Sequence, residues 1–236
     1  MSIAENIAQI REQINRAAVE VGRNPKEVLL CAATKMNGAD AVRQAIAAGV
    51  DCCGENRVQE LSQKLSENAY KGAPVHFIGH LQTNKVRQVV GKVDLIQSVD
   101  RIKLLECINA EAAMQNIVQD ILLEINIGSE ESKSGFAKED ILPLMEFIGK
   151  YPNIRVRGLM AIPPICEKKG DNNKFFVEIC NLAVDIRQKK YDNVCMDIMS
   201  MGMSDDFADA IACGSTMIRV GTAIFGARDY NKPHHL

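Results

Sequence analysis

The sequence has no tryptophan, and aromatic residues make up only 5% of its 236 residues. It contains no CxxC pair, the spacing typical of many zinc and redox cysteine sites. It also has no run of about eighteen apolar residues, the length that crosses a bilayer. Charge of one sign is not in excess, because 28 Lys and Arg face 30 Asp and Glu and leave a net charge of −2. These absences argue against a CxxC metal module, a membrane partner and a nucleic-acid partner.

Eight cysteines are scattered along the chain, several of them inside apolar runs. They are predicted to be reduced residues of the core rather than a disulfide framework. Strand alternation would place the side chains of the neighbours Cys52 and Cys53 on opposite faces. The amino-terminal stretch carries a charge every few positions and so lacks the apolar centre of a signal peptide. We therefore expect a cytoplasmic protein.

Short apolar runs alternate with amphipathic segments along most of the chain. Isoleucines at helical spacing predict an N-terminal helix that ends near Gly22. Runs rich in β-branched residues then predict eight strands: Val28–Thr34, Val50–Asn56, Val75–His80, Asp94–Val99, Ile121–Ile127, Val156–Ile162, Cys195–Met201 and Met217–Gly226. The segments between the runs predict helices over Ala39–Ala48, Arg57–Leu65, Arg101–Met114, Lys138–Ile148, Asn173–Gln188 and Ser204–Ala212.

Near-continuous apolar strands, each followed by a helix, indicate a parallel sheet that is buried on both faces. Eight such units in a chain of this length are typical of a closed (β/α)₈ barrel. An open doubly wound sheet is the alternative, but no GxGxxG follows the first run. We find no linker and no change in composition. The prediction is an α/β fold with one TIM-type barrel domain over residues 1–236 and an extra N-terminal helix.

In such a barrel the active face is formed by the carboxyl ends of the strands. Lys35 is the sharpest candidate there, because it closes the apolar run VLLCAATK. Apolar surroundings lower the pKa of an ammonium group, which is the condition for a lysine that forms a Schiff base. The alternative is a lysine whose amine reaches out from a strand end to solvent.

Two segments near the other end of the chain are small and rich in hydroxyls, namely Ser200-Met-Gly-Met-Ser204 and Arg219-Val-Gly-Thr222. Barrels frequently bind a phosphate group with the loops after the seventh and eighth strands. Gly221 and Thr222 are the better donors, since Ser204 is alternatively the N-cap of a helix with acids in its first turn. A strand-end lysine and a phosphate cradle together predict a pyridoxal phosphate site, with Arg219 facing the pyridine nitrogen.

Several motifs follow one another along nearly the whole chain: TK at 34–35, GENRVQE at 54–60, HFIGHLQTNK at 76–85, SVDR at 98–101, GSEESKSGF at 128–136, RGLMAI at 157–162, SMGMSDDFADAI at 200–211 and GSTMIRVGTAIFGAR at 214–228. In this combination they resemble the pyridoxal phosphate homeostasis protein family, also called the proline synthetase co-transcribed homologue family. The resemblance implies a single barrel, similar to the N-terminal domain of alanine racemase, that carries pyridoxal phosphate.

The resemblance also implies site residues. Lys35 matches the lysine that forms the internal aldimine with pyridoxal phosphate, and Arg219 matches the arginine at the ring nitrogen. Asn56 lies in the GEN motif beside the cofactor. The positions that match the phosphate-binding residues are Ser200, Ser204, Gly221 and Thr222. His76 and His80 alternate on the third run and, without cysteines at ligand spacing, are expected to be structural rather than metal ligands.

We expect a protein that holds, buffers and delivers pyridoxal phosphate, with apo pyridoxal phosphate enzymes as partners, and not an enzyme. The alternative is a single-domain racemase-like enzyme, but racemisation needs a second base and no tyrosine lies at a predicted strand end. An arginine at the ring nitrogen also keeps that nitrogen unprotonated. A third possibility, a barrel that binds only other proteins, would assign no function to Lys35 and Arg219. We expect a monomer.

Overall fold

The structure, a computed structural model, describes residues 1–128, 130, 134–164, 168 and 170–226. Eight parallel strands form a closed barrel in chain order, with the last strand hydrogen-bonded to the first. The strands are β1 Leu29–Ala33, β2 Cys52–Glu55, β3 Val75–Phe77, β4 Leu95–Val99, β5 Gln119–Ile125, β6 Ile154–Ala161, β7 Val194–Ser200 and β8 Met217–Val220. The predicted barrel is therefore confirmed.

The outer layer consists of α1 Ile3–Glu20, α2 Ala39–Ala47, α3 Val58–Ser66, α4 Ile102–Met114, α5 Lys138–Met145, α6 Asn173–Lys189, α7 Phe207–Ala212 and α8 Thr222–Phe225. Between β3 and β4 the connection is the 3₁₀ helix Thr83–Gln88, and two shorter 3₁₀ helices span Pro25–Glu27 and Ile148–Lys150. In the part of the chain that the structure describes, no helix has both the length and the apolar character that a membrane crossing requires.

The extra N-terminal helix α1 lies over the seam where β8 meets β1. Ser2 and Glu5 begin it with a capping box. Its buried face packs against α2, α7 and α8 and consists of Ile7, Ile10, Ile14, Ala17 and Ala18. The side-chain amide of Asn6 donates a 2.8 Å hydrogen bond to the carbonyl of Ile224 in α8. Helix α1 thus ties the first barrel unit to the last.

Two predicted boundaries after β7 and β8 are wrong. The eighth strand ends at Val220 and not at residue 226, because the carbonyl of Gly221 accepts the N–H groups of Ile224 and Phe225 and starts a helical turn. The predicted helix 204–212 begins only at Phe207, since the Asp206 carboxylate accepts the N–H of residue 203 at 2.7 Å and folds the preceding residues into a turn.

The cysteines divide between the barrel interior, the helical layer and the surface. Cys31 and Cys52 pack together inside the barrel, whereas Cys53 belongs to the layer between barrel and helices. The predicted opposite orientation of Cys52 and Cys53 is therefore confirmed. All described cysteines are free, as predicted, but Cys195 is exposed near the amino end of β7 and does not belong to the core. Cys166 lies outside the described residues.

Gly158 is required where β6 bulges against β7. Its φ is 154°, and a Cβ at this position would lie only 1.8 Å from the carbonyl oxygen of Ile198. We expect Gly158→Ala to lower the free energy of unfolding by more than about 2 kcal/mol, because the two strands would have to separate. Gly149→Ala is the matched control, since nothing lies within 4 Å of a Cβ there. Equal losses in chemical denaturation would contradict this account.

Candidate functional site

Lys35 lies in a tight turn directly after β1, at the carboxyl end of the barrel. Its side chain is half-buried, and Thr34 before it is fully buried. Met36 after it has a φ of 62°, a left-handed conformation that is uncommon for a residue with a side chain. The N–H of Met36 donates a 2.7 Å hydrogen bond to Glu60 Oε2 in α3. This bond holds the strained turn that presents Lys35.

A buried ion-pair cluster from α3 holds the other side of the same turn. Lys64 Nζ donates a 2.8 Å hydrogen bond to the carbonyl of Thr34 and forms ion pairs with Glu55 and, at 3.7 Å, with Glu60. Lys64 and Glu55 are buried, so a charge removed from this pair would leave its partner unpaired in the interior. The backbone on both sides of Lys35 is therefore fixed by α3.

Asn56 follows β2 and comes close to the loop after β3. A Cβ added to Gly79 would lie 2.2 Å from the carbonyl oxygen of Asn56, so these two backbones need a glycine in order to approach. The side-chain Oδ1 of Asn56 is buried and has no hydrogen-bond partner among the described residues. Because buried polar atoms are nearly always paired in native proteins, this oxygen indicates a missing donor.

Arg219 in β8 is buried inside the barrel near its carboxyl end. Its guanidinium donates to the carbonyl of Ser200 at 2.7 Å, to Ser200 Oγ at 2.6 Å and to the carbonyl of Ala161 at 3.0 Å. Burial lowers the pKa of Arg219, while the charges of Cys31 and Glu124 oppose that effect. Arginine nevertheless stays protonated in proteins, so a fixed positive charge lies at this point.

Ser200 is fully buried, and its hydroxyl has two partners. It accepts from Arg219 and donates at 2.6 Å to Gln97 Oε1 in β4. A contact between this hydroxyl and a phosphate stays a prediction. The observed arrangement makes Ser200 the support that fixes the direction of the Arg219 guanidinium.

The loops after β7 and β8 meet through their hydroxyl groups. Ser204 Oγ lies 3.2 Å from Thr222 Oγ1, and both side chains are accessible at the carboxyl end of the barrel. The hydrogen bonds of α8 begin at Ile224, so the N–H groups of Thr222 and Ala223 precede the first of them. The alternative role of Ser204 as a helix N-cap is wrong, because Asp206 occupies that position.

Gly221 connects this hydroxyl pair to the lysine turn. A Cβ at Gly221 would lie 3.4 Å from the carbonyl oxygen of Ala33, two residues before Lys35. The register confirms this neighbourhood, since Ala32 pairs with Val220. The structure therefore brings the predicted residues of β1 and β8 to one end of the barrel.

Glu124 in β5 is a buried carboxyl group on the same side of the barrel as Arg219. Burial raises the pKa of Glu124 to about 7; the charge of Asp100 adds to the rise and that of Arg219 opposes it. Asp100 itself holds His80 Nδ1 at 3.0 Å. Glu124 can therefore take up or release a proton near neutral pH beside the fixed charge of Arg219.

Comparison with known proteins decides the family. A sequence profile of the alanine racemase N-terminal domain matches residues 2–229. The pyridoxal phosphate homeostasis protein of Aquifex aeolicus is 40% identical over 230 residues, which cover 98% of this chain and 100% of the relative. The protein of the same name from Escherichia coli K12 is 40% identical over 233 residues and 98% of each chain. The chain belongs to the pyridoxal phosphate homeostasis protein family.

Solved structures agree with this family. PipY of Synechococcus elongatus, solved with pyridoxal phosphate bound, has a TM-score of 0.82 and 32% identity, over 95% of this chain and 100% of PipY. PipY without pyridoxal phosphate has a TM-score of 0.85 at the same identity and coverage. Alanine racemase from Streptomyces coelicolor has a TM-score of 0.71 at 16% identity, over 97% of this chain and 59% of the racemase. That likeness shows a shared barrel fold alone.

Several residues that shape the site in this member of the pyridoxal phosphate homeostasis protein family were not predicted from its sequence. Glu60 and Lys64 carry a signal, the four-residue spacing of an ion pair on a helix. Glu124 and Gln97 interrupt apolar strands with a polar side chain, a pattern that points to an inward-facing polar group. None of these residues shows by sequence position alone that it adjoins Lys35 or Arg219.

The raised pKa of Glu124 predicts a pH dependence of stability. Between the ordinary pKa of 4.5 and about 7, the folded protein holds a proton on Glu124 that the unfolded chain releases. Stability should therefore fall as the pH rises through this range. Glutamine cannot ionise, so Glu124→Gln should reduce this pH-dependent loss of unfolding free energy by roughly 1 to 3 kcal/mol. Urea denaturation at about pH 5 and about pH 8 measures the free energy of unfolding, with Glu20→Gln at an exposed position as the control. An unchanged pH dependence in Glu124→Gln would refute the assignment.

Proposed function

We propose that this protein binds pyridoxal phosphate at the carboxyl end of its barrel and serves to hold and deliver it within the cell. The observation that carries the proposal is the contact between the β1 and β8 ends, where Gly221 lies against Ala33 beside Lys35. Around that contact lie the amine of Lys35, the buried guanidinium of Arg219 and the hydroxyls of Ser204 and Thr222. The bound pyridoxal phosphate of PipY, at 32% identity over its whole length, supports the same ligand here.

The donor set fits this ligand. A pyridoxal phosphate molecule carries an aldehyde, a ring nitrogen and a phosphate, and each has a chemical counterpart among the residues present. Lys35 offers an amine, Arg219 a cation, and Ser204 with Thr222 two hydroxyls beside the first N–H groups of α8. The unpaired buried Oδ1 of Asn56 offers one further polar contact.

When bound, pyridoxal phosphate supplies an aldehyde that condenses with a primary amine. Lys35 is the residue that would offer this amine, and the clamp from α3 fixes the direction in which it leaves the backbone. Thr222, Ser204 and the α8 N–H groups would bind the phosphate, since they combine hydroxyl and backbone donors. Arg219 would face the ring nitrogen and keep it unprotonated, because its permanent charge disfavours a second positive charge nearby.

The positions of the tyrosines favour a holding role over catalysis of the alanine-racemase type. Racemisation needs a second base besides the cofactor lysine. Tyr70 is buried, Tyr151 donates to Glu106 in α4, and Tyr191 donates to Glu146 just after α5. Within the described ranges, therefore, no tyrosine supplies that base. An unprotonated ring nitrogen also withdraws fewer electrons from a bound substrate.

The role of Lys35 predicts a coloured protein with a reducible linkage. We expect the protein loaded with pyridoxal phosphate to show visible absorbance and borohydride to fix the cofactor on Lys35, as read by peptide mass spectrometry. Lys35→Ala should lose the band. Lys85→Ala is the matched control, because Lys85 lines the same groove as Asn56. Label on Lys85 or Lys64 would refute the assignment.

The phosphate-binding role of Thr222 predicts a selective loss of affinity. Thr222→Val removes one hydroxyl donor to a charged group and should weaken binding of pyridoxal phosphate by roughly 1.5 to 3 kcal/mol. Pyridoxal, which lacks the phosphate, should bind almost as well to the variant as to the parent. Titrations of both ligands measure the difference. Equal weakening of both would place the phosphate elsewhere.

Turnover distinguishes holding and delivery from the racemase-like alternative. The loaded protein incubated with L-alanine, L-serine or L-threonine should give no more D-isomer, keto acid or aldehyde than free pyridoxal phosphate does. Mixed with an apo pyridoxal phosphate enzyme, it should restore that enzyme's activity while its own visible band declines. Racemisation that exceeds the free cofactor and disappears in Lys35→Ala would favour the enzyme.

A further inference from the structure

Three side chains with metal-binding atoms meet inside the barrel, on consecutive strands. They are Cys31 in β1, Cys52 in β2 and His76 in β3, and their sulfur and ring nitrogen atoms all lie within 4.8 Å of one another. Cys31 and Cys52 are register partners on neighbouring strands. All three are buried, with exposed fractions of 0%, 2% and 7%. The proposed pyridoxal phosphate site uses none of them.

The two sulfur atoms lie close enough to bind one ion together, because β1 and β2 pair in register at Cys31 and Cys52. A thiolate, and not a thiol, is the form that binds metal ions. A metal ion bound by both sulfur atoms would therefore replace the two thiol protons, which would leave to solvent.

The imidazole of His76 is oriented by a polar neighbour. Gln97 Nε2 lies 2.9 Å from His76 Nδ1, and Ser200 in turn donates to Gln97 Oε1. Gln97 thereby fixes the direction of the imidazole ring, as outer partners do at metal-bound histidines.

The neighbours of the cluster favour a soft monovalent ion. Met217 packs against Cys31 and Cys52, and thiolate and thioether ligands select Cu⁺. Structural Zn²⁺ sites take four strong ligands, whereas this cluster has three. Two thiolates and Cu⁺ together carry one negative charge, and Arg219, the register partner of Cys31, lies beside them to offset it.

We propose that Cys31, Cys52 and His76 form a binding site for a thiophilic metal ion inside the barrel, and that Cu⁺ is the ion that the site matches. His76 has the largest exposed fraction of the three, so the ion would reach the sulfur atoms past its ring. This site is separate from Lys35 and does not depend on pyridoxal phosphate.

Competition between the reduced full-length protein and a coloured Cu⁺ chelator, under anaerobic conditions, tests the proposal. We expect one Cu⁺ per chain to resist the chelator. Cys31→Ser and Cys52→Ser should each weaken retention by at least about 100-fold and His76→Gln by about 10-fold, in line with the loss of ligands. Cys53→Ser and Cys195→Ser are the controls and should retain the ion, since the first faces away and the second is exposed.

X-ray absorption at the copper edge of the unmodified protein keeps the test independent of whether the variants fold. Two sulfur atoms and at least one nitrogen around Cu⁺ would support the proposal. A copper environment without two sulfur atoms, or unchanged retention in Cys31→Ser, would overturn the site. Zn²⁺ that bound more tightly than Cu⁺ in the same competition would contradict the choice of ion.

Discussion

A guanidinium inside a protein must find partners for its N–H groups, and the interior of this barrel is arranged around that requirement for Arg219. The ion binds two neighbouring strands at once, through the carbonyl of Ala161 in β6 and both oxygens of Ser200 in β7. The Ser200 hydroxyl in turn orients Gln97 by a hydrogen bond, and Gln97 orients His76 in the same way. One buried charge in β8 therefore fixes polar side chains on three other strands, β3, β4 and β7.

A second group of charged side chains lies outside the barrel wall. It orders the chain at the end of β1, as Arg219 orders the side chains around β8. Lys64 and Glu60 of α3 form hydrogen bonds with the backbone on either side of Lys35 and stabilise the left-handed conformation of Met36. Because Lys64 is buried and the Glu60 side chain is only 17% exposed, the turn has few alternative conformations. The two halves of the proposed site are thus rigid before any ligand arrives, so binding would cost little ordering of the protein.

Much of this architecture was predictable because barrel strands are buried on both faces and so appear as apolar runs of the right length. The errors came where local turn chemistry outweighs hydrophobicity: Gly221 ends β8 early, and Asp206 delays α7. Lys35 and Thr222 could be predicted as site residues because each lies two positions after the end of a strand. The Cys31, Cys52 and His76 cluster could not, since its members are about one strand–helix unit apart and meet only when β1, β2 and β3 pair in register. Likewise, the acidity of Glu124 depends on neighbours from other strands.

The position of α1 over the barrel seam has a consequence for synthesis. Helix α1 packs against α7 and α8, which lie about two hundred residues further along the chain. Contacts of such long sequence separation form slowly, and here they cannot form at all until translation reaches α7 and α8. A nascent chain would therefore keep an open edge at β1 and an incomplete ligand end. Capacity to bind a ligand at this end should appear only after α8 has been made, as one late and cooperative event.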